Sequence, residues 1–330
     1  MPKFQVYVTD FIYEPLDIER EILGDIADLA AIAAMSNADL DQRMDSADAL
    51  LVYHFVSIRE SLMQRMPRLK VVARCGAGFD NIDTDYARSR NIAVTNVPDY
   101  GTEDVADAAI ALVLSIARGT HRMAHLCQQG TDDWSYELAI PLHRIRGQKF
   151  GIIGMGRIGM AVALRAKAFG YEVVFLDPYA VEGTDKALGI RRANSLEELL
   201  SQCNVVSCNC LLSEETKHII NCDTIELMPM GSILVNTSRG AVVDAMAVLK
   251  GLESGRLMGA GIDVLEQEPP DPNHPLFQAW RNPKHPAHDR LILTPHAAFY
   301  SEEGLVDMRR KGSENVRRIL LGNPCRNVVN

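Results

Sequence analysis

Three side chains in the C-terminal half of the chain have types that together can move a proton and hold a charge. Arg239 follows an apolar, strand-like run in "VNTSRGAVVD", and its planar fork of donors suits a carboxylate or a polarised carbonyl. Glu268 closes "DVLEQEPP", where Pro269 and Pro270 stiffen the loop and hold one carboxylate outward. His296 follows another apolar run in "TPHAAFY", with Pro295 restricting the backbone beside it. Singly, each has a plainer role: a surface ion-pair partner, a solvated loop charge, a structural histidine. As a set they suit hydride-transfer chemistry, with the imidazole as acid or base for a substrate hydroxyl, the carboxylate orienting it, and the arginine on the substrate.

Such chemistry needs a carrier for the hydride, and the middle of the chain offers a place for one. In "FGIIGMGRIGMAVALRAKAFGYEVVFLDPY", residues 150–179, an apolar run reads as a strand, and Ala161 to Phe169 reads as a helix closed by Gly170. Between them Gly154 allows a tight turn, Gly156 lets backbone approach a pyrophosphate, and Gly159 lets the helix lie close to the strand. A second strand, Val173 to Leu176, ends in Asp177, 18 residues after Gly159. A carboxylate there accepts both adenosine ribose hydroxyls and repels a 2′-phosphate, so NAD(H) is expected rather than NADP(H). Asp263, in "GIDV", has two readings: support for the nicotinamide end of that cofactor, or the cap of a strand turn.

The elements that must position these residues read as parallel α/β. Met1 to Thr9, Ala49 to Tyr53 and Leu69 to Arg74 are strand-like, and Ile18 to Met35 is helical in character. The pattern breaks at Pro98 to Gly101, and a long helix opens with Thr102 as N-cap. Residues 118–146 read as a less regular connection. "CNVVSCNC", "GSILVNTS", "GAGIDV" and "LILTPHAA" then supply further strands, whose C-terminal ends are where ligands of open parallel sheets bind.

Composition agrees. The 330 residues, 47% of them hydrophobic, suffice for two domain cores. No apolar run reaches the roughly 20 residues that span a bilayer, and "MPKFQVYVTDFI" reads as a first strand rather than a signal peptide. Seven scattered cysteines suit a reducing cytoplasm. Cys208 and Cys210 fall on one face of a strand and are read as small buried hydrophobes, so no metal is expected. A net charge of −9 argues against nucleic acid and anionic membranes.

With these residues in view, the chain resembles the D-2-hydroxyacid dehydrogenases over nearly its whole length, most of all the branch containing the C-terminal-binding proteins. The matching stretches are "YHFVSIR", "RCGAGFDNID", "IRGQKFGIIGMGRIGMAVALRAKAFGYEVVFLDPY", "VNTSRGAVVD", "DVLEQEPP" and "TPHAAFYSEE", in the family's order. The resemblance implies two Rossmann-like domains with doubly wound parallel sheets and an active site in the interdomain cleft. Residues 1–101 and 297–330 would form the substrate-binding domain, and 102–296 the NAD-binding domain. It implies catalytic roles for Arg239, Glu268 and His296, a substrate carboxylate on the backbone of Gly76, Ala77 and Gly78, and a pocket lined by Arg74, His54 and Phe299. Cofactor contacts are expected from Thr102, Gly154, Gly156, Arg157, Ile158, Gly159, Asp177, Cys210, Leu211, Thr216, Thr237, Ser238, Arg239, Asp263, His296 and Ala298. A homodimer through the 102–146 region is implied as well.

The departures are informative. Phe299 stands where the C-terminal-binding proteins carry tryptophan, giving a smaller pocket wall, and Leu211 occupies a position that is often proline. No long tail follows "NPCRNVVN", which weakens a corepressor reading. Glu268 argues against formate dehydrogenase, and Ala77, in place of lysine, against phosphite dehydrogenase. The expected activity is reversible hydride transfer between NAD(H) and a small D-2-hydroxy or 2-keto acid of the glyoxylate, hydroxypyruvate or pyruvate kind. The alternative is an NAD(H)-responsive binding or corepressor-like protein with little turnover, which needs the glycines and Asp177 but no proton donor.

Overall fold

A computed structural model describes residues 3–40, 42–130 and 134–330. The chain divides into two compact units, 1–101 with 301–330 and 102–300. The return to the first unit comes after Tyr300, not after His296 as expected. The reason is local: Ala297 and Ala298 donate their amides to Asp263, which holds them in the second unit, and Ser301 caps the helix that belongs to the first.

The first unit runs β1 (Phe4–Asp10), α1 (Asp17–Leu23), β2 (Ala27–Ala34), β3 (Ala49–Val52), α2 (Glu60–Gln64), β4 (Val71–Arg74), α3 (Thr84–Ser89) and β5 (Ala93–Thr95). Its five strands are all parallel, in the order β2-β1-β3-β4-β5. β3 and β4 are buried throughout and apolar up to Arg74 at the end of β4, as strands covered on both faces must be. Met1 and Pro2 of the expected first strand lie outside the described residues. The helix expected over Ile18 to Met35 is corrected: it stops at Leu23, and "ADLAAIAA" forms β2 beside β1. Alanine is the best helix former, but intrinsic propensity is a weak determinant, and pairing with β1 overrides it here.

The second unit runs α4 (Thr102–Arg118), α5 (Thr120–Gln129), β6 (Lys149–Ile153), α6 (Arg157–Ala168), β7 (Glu172–Leu176), α7 (Thr184–Leu188), β8 (Arg191–Arg192), α8 (Leu196–Leu200), β9 (Val205–Cys208), α9 (Cys222–Glu226), β10 (Ser232–Asn236), α10 (Ala245–Ser254), β11 (Leu257–Ile262), α11 (Pro275–Arg281) and β12 (Leu291–Leu293). Its parallel sheet is ordered β12-β11-β10-β9-β6-β7-β8, so the order reverses between β6 and β9, where a doubly wound sheet binds its ligand. Alternate strand residues feed two cores. Val206 and Leu234 pack with Leu199, Ile225 and Leu252 on one face, while Val205 and Val235 pack with Ile110, Val113 and Val162 on the other. Helices therefore cover both faces. The connection expected over 118–146 contains the ten-residue helix α5; residues 131–133 of it lie outside the described set. Thr102 is the first helical residue of α4 rather than a cap before it.

The last helix, α12 (Glu302–Leu320), belongs to the first unit. Arg309 forms a two-point pair with the fully buried Glu19 of α1, Nε to Oε1 at 2.8 Å and Nη2 to Oε2 at 2.7 Å.

Candidate active site

The glycine turn sits at the end of β6, and its geometry explains each glycine. Gly154 has φ 92°, and a Cβ on it would stand 2.6 Å from the Cys210 amide nitrogen beyond β9. A Cβ on Gly159 would lie 2.1 Å from the Gly154 carbonyl oxygen, so the first turn of α6 can lie on the strand end only as glycine. At Gly156 a Cβ would meet nothing within 4 Å. This open side faces the start of α6 at Arg157 and Ile158, where the first helical N–H groups have no intrahelical acceptor and the dipole is positive.

Asp177 stands across the turn from these amides. Its Oδ2 accepts the Met155 N–H at 2.7 Å, its Oδ1 accepts the Tyr179 N–H at 2.8 Å, and Arg192 Nη2 donates to its carbonyl at 2.6 Å. Two protein donors leave further lone pairs on the carboxylate for ribose hydroxyls. Two other expected contacts test the fit: the hydroxyls of Thr102 and Thr237 are buried and find no hydrogen-bond partner in the protein. A buried orphan hydroxyl costs about 1–3 kcal/mol, a cost that a hydrogen bond from a polar ligand would offset. The residues fit a dinucleotide.

Other expected contacts are engaged locally. Thr216 Oγ1 donates to the Leu211 carbonyl at 2.6 Å and accepts the Ser213 N–H at 2.8 Å, closing the turn that leaves Leu211 exposed. Burial pushes the Cys210 thiol up to about 11 and the Cys208 thiol well above its usual value. Burial in apolar surroundings thus favours the neutral thiol at both positions.

The candidate reacting groups follow β10, β11 and β12. Buried Asn236, last in β10, accepts the Ser238 N–H at 3.1 Å and the Ser238 hydroxyl at 2.8 Å on Oδ1, and donates from Nδ2 to the Arg239 carbonyl at 2.9 Å. This side chain shapes the turn that presents Arg239, whose Nη1 donates to the Ser238 carbonyl at 2.8 Å. A Cβ on Gly240 would lie 1.9 Å from the Leu265 carbonyl carbon, so only glycine lets the Arg239 turn meet the loop that carries Glu268.

Glu268 Oε1 accepts the Leu265 N–H at 2.8 Å, and Oε2 meets His296 Nδ1 at 2.6 Å. Burial raises the Glu268 carboxyl, but the His296 hydrogen bond and charge, the Leu265 amide and the Arg239 guanidinium outweigh it, and the group is held below its usual value. The Glu268 contact engages Nδ1 of the His296 ring and so favours the tautomer or charged form with a proton on that nitrogen. His296 has φ 53°, left-handed backbone that a non-glycine residue adopts only where its surroundings enforce it. Here its N–H is held by the Asp263 carbonyl at 2.8 Å. The buried Asp263 carboxylate accepts the Thr294 hydroxyl and the amides of Ala297 and Ala298, the latter two at 2.9 and 3.1 Å. Of the two readings of Asp263, these bonds belong to the turn cap. Phe299 packs edge-on to the imidazole, ring centroids 6.2 Å apart.

In the first unit the expected substrate residues also gather. Arg74, 5% exposed, runs over Gly76, donates from Nη1 to the Cys75 carbonyl at 2.6 Å, and brings Nη2 within 3.5 Å of His54 Nδ1. Asn96 Nδ2 holds the Ala77 carbonyl at 2.7 Å, which fixes the loop to Gly78. Sequence reasoning missed Asn236, Thr294, Asn96 and Arg192. The first two stand inside quoted motifs beside the chosen residues; Arg192 stands on a two-residue strand with no motif around it.

Residues 110–298 match the family model described as "D-isomer specific 2-hydroxyacid dehydrogenase, NAD binding domain". C-terminal-binding protein 1 of Caenorhabditis elegans is 34% identical over 312 residues, 92% of this chain and 42% of that protein. D-3-phosphoglycerate dehydrogenase of Methanocaldococcus jannaschii is 30% identical over 326 residues, 99% of this chain and 59% of that protein. The chain thus spans about half the length of these two relatives. The crystal structure of D-lactate dehydrogenase from Aquifex aeolicus, complexed with NAD and lactic acid, superposes with a TM-score of 0.86 at 30% identity, covering 96% of each chain. The family match extends over more than half of the sequence and contains the glycine turn, Asp177 and the paired His296 and Glu268, so the chain belongs to the D-isomer specific 2-hydroxyacid dehydrogenase family.

Proposed function

We propose that the protein is an NAD(H)-dependent oxidoreductase that interconverts a small 2-keto acid and the matching D-2-hydroxy acid, of the glyoxylate, hydroxypyruvate or pyruvate kind. The observation that carries this reading is the 2.6 Å contact between His296 Nδ1 and Glu268 Oε2, because a protein that only senses NAD(H) needs no oriented proton donor.

When bound, NAD(H) supplies or accepts the hydride. In the reducing direction His296, protonated on both nitrogens, donates from Nε2 to the ketone oxygen, and Glu268 stabilises the imidazolium through Nδ1. Arg239 offsets the negative charge that develops on that oxygen and orients the substrate. In the oxidising direction neutral His296 takes the hydroxyl proton on Nε2. Asp177 and the α6 terminus hold the adenosine and pyrophosphate, with Thr102, Ser238 and Thr237 as further contacts. The backbone of Gly76, Ala77 and Gly78 receives the substrate carboxylate, and Arg74 and His54 line the substrate pocket. Phe299 gives a smaller pocket wall than tryptophan.

Two further readings go with it. Exposed Trp134, Tyr136 and Ile140 in the 102–146 region support a homodimer through that segment, which light scattering tests by returning twice the chain mass; the monomer mass overturns it. Seven free cysteines support a reducing, cytoplasmic compartment, and among the described residues no helix is long and apolar enough to cross a membrane. The activity is tested by NADH oxidation against a panel of 2-keto acids. Turnover with a small member is expected. Tight NADH binding without turnover on any member overturns the enzymatic reading in favour of the binding protein.

A further inference from the structure

One cluster of potential metal ligands among the described residues lies outside the residues assigned to catalysis. His125 of α5 and the consecutive His288 and Asp289 before β12 place one donor atom each within 4.8 Å of one another. We propose that these three side chains form a site for a divalent transition-metal ion of the zinc or cobalt type, which pins α5 to the turn before β12.

The surroundings already hold His288 in a binding arrangement. His288 Nδ1 lies 2.6 Å from the Trp280 carbonyl, a contact that requires the proton on Nδ1. Nε2 is thereby left as the ligand atom, 3.9 Å from Asp289 Oδ1. A backbone carbonyl on the far nitrogen is the usual outer partner of a metal-bound imidazole. His125 meets the His288 ring edge-on with centroids 5.5 Å apart, and Gln129, one turn along α5, donates from Nε2 to His125 Nε2 at 2.8 Å, a bond that an ion on His125 must displace or turn over to the amide oxygen. His121 ties the same two segments together: its ring nitrogens meet the Ser115 carbonyl at 3.1 Å and the Asp289 carbonyl at 2.9 Å. None of the three ligands is fully buried, so an ion can enter and water can complete its coordination.

Donor chemistry selects the ion. Two imidazoles and one carboxylate suit zinc, cobalt or nickel, whereas calcium and magnesium require mostly oxygen. Bonds of about 2.0–2.1 Å in a tetrahedron set ligand atoms roughly 3.4 Å apart, so no pair of ligand atoms need close by more than about 1.4 Å on binding, within the reach of side-chain rotation. No motif announced the site, and none was expected from the sequence, because its two halves lie far apart along the chain.

The test is a titration of Co²⁺ into the full chain, freed of metal by chelator, followed by calorimetry and visible absorption. Expected are one ion per chain, the spectrum of nitrogen and oxygen ligands without a thiolate charge-transfer band, and displacement by Zn²⁺. His125→Ala and His288→Ala each weaken binding by about 10- to 100-fold or more, and Asp289→Asn weakens it as well. His125 lies on a partly exposed helix where alanine is the best helix former, so that variant folds, and its metal-free rate of keto-acid reduction matches the metal-free parent. The site is overturned by an absence of stoichiometric binding at submillimolar Co²⁺, by unchanged affinity in His125→Ala, or by a thiolate band that assigns the ion to cysteine.

Discussion

The Asp263 carbonyl accepts the His296 N–H at 2.8 Å while the Asp263 carboxylate accepts the amides of Ala297 and Ala298, so one buried aspartate holds the left-handed turn that carries the imidazole. The turn stores backbone strain of about 1–3 kcal/mol, and Asp263 is the group that opposes its release.

Asp263→Asn tests this. An amide has one acceptor oxygen, and its NH₂ then faces a backbone N–H donor whichever way it turns. Stability should fall by about 1–3 kcal/mol, and misplacement of His296 should lower kcat roughly 10²-fold with NADH affinity little changed. Urea unfolding and steady-state rates equal to the parent's would detach Asp263 from the placement of His296.

Asp177→Ala removes the acceptor for the ribose hydroxyls and the charge that repels a 2′-phosphate. NADH binding should weaken, and the preference for NADH over NADPH should shrink. Some loss will fall on both cofactors alike, because the Met155 and Tyr179 amides lose their acceptor too. The ratio of the two dissociation constants is therefore the quantity to measure; an unchanged ratio would remove Asp177 from cofactor selection.

Arg309→Met leaves the Glu19 carboxylate buried without its two-point partner. A stranded buried charge costs about 3–5 kcal/mol, which should appear in the unfolding midpoint. The double variant Glu19→Leu with Arg309→Met should recover most of the loss, since the charge is gone with its partner. If the double variant is no more stable than Arg309→Met, desolvation of Glu19 is not the cause.

These residues also show how far the sequence could be read. The glycine turn and the β6–α6–β7 unit were legible because strand, glycines, helix and terminal carboxylate follow one another within 30 residues. Arg239, Glu268 and His296 were legible as strand endings and the pairing of Glu268 with His296 was expected, but the approach of the Arg239 turn to the loop of Leu265 was not, since it depends on Gly240. The Ala27–Ala34 strand was misread because its propensity is local and its pairing with β1 is not. Asn96, Asn236 and Arg192 gave no signal: each acts by bonding a backbone carbonyl whose position only the fold determines. Asp263 kept two readings until the turn it caps was in place.

The pairing of Glu268 with His296 sets the pH dependence. The Glu268 carboxyl is held below its usual value because, despite burial, the protonated imidazole, the Leu265 amide and Arg239 favour its charged form. A depressed carboxyl contributes stability that is present above its unfolded value, about 4.3, and is lost as pH falls through the lower folded value; the pair therefore persists through the range in which an ordinary glutamate protonates. His296→Gln removes the proton donor, and reduction should fall roughly 10²- to 10⁴-fold with NADH affinity nearly intact. Glu268→Gln keeps the imidazole but removes the charge that favours its protonated form. Reduction needs that form, so its alkaline limb should move to lower pH. Oxidation needs the neutral ring and should gain at the acidic end. Profiles in both directions, taken where a deuterated cofactor slows the rate and chemistry is therefore limiting, decide the matter. If both limbs keep their positions in Glu268→Gln, Glu268 does not govern the proton on His296, whatever the distance between them.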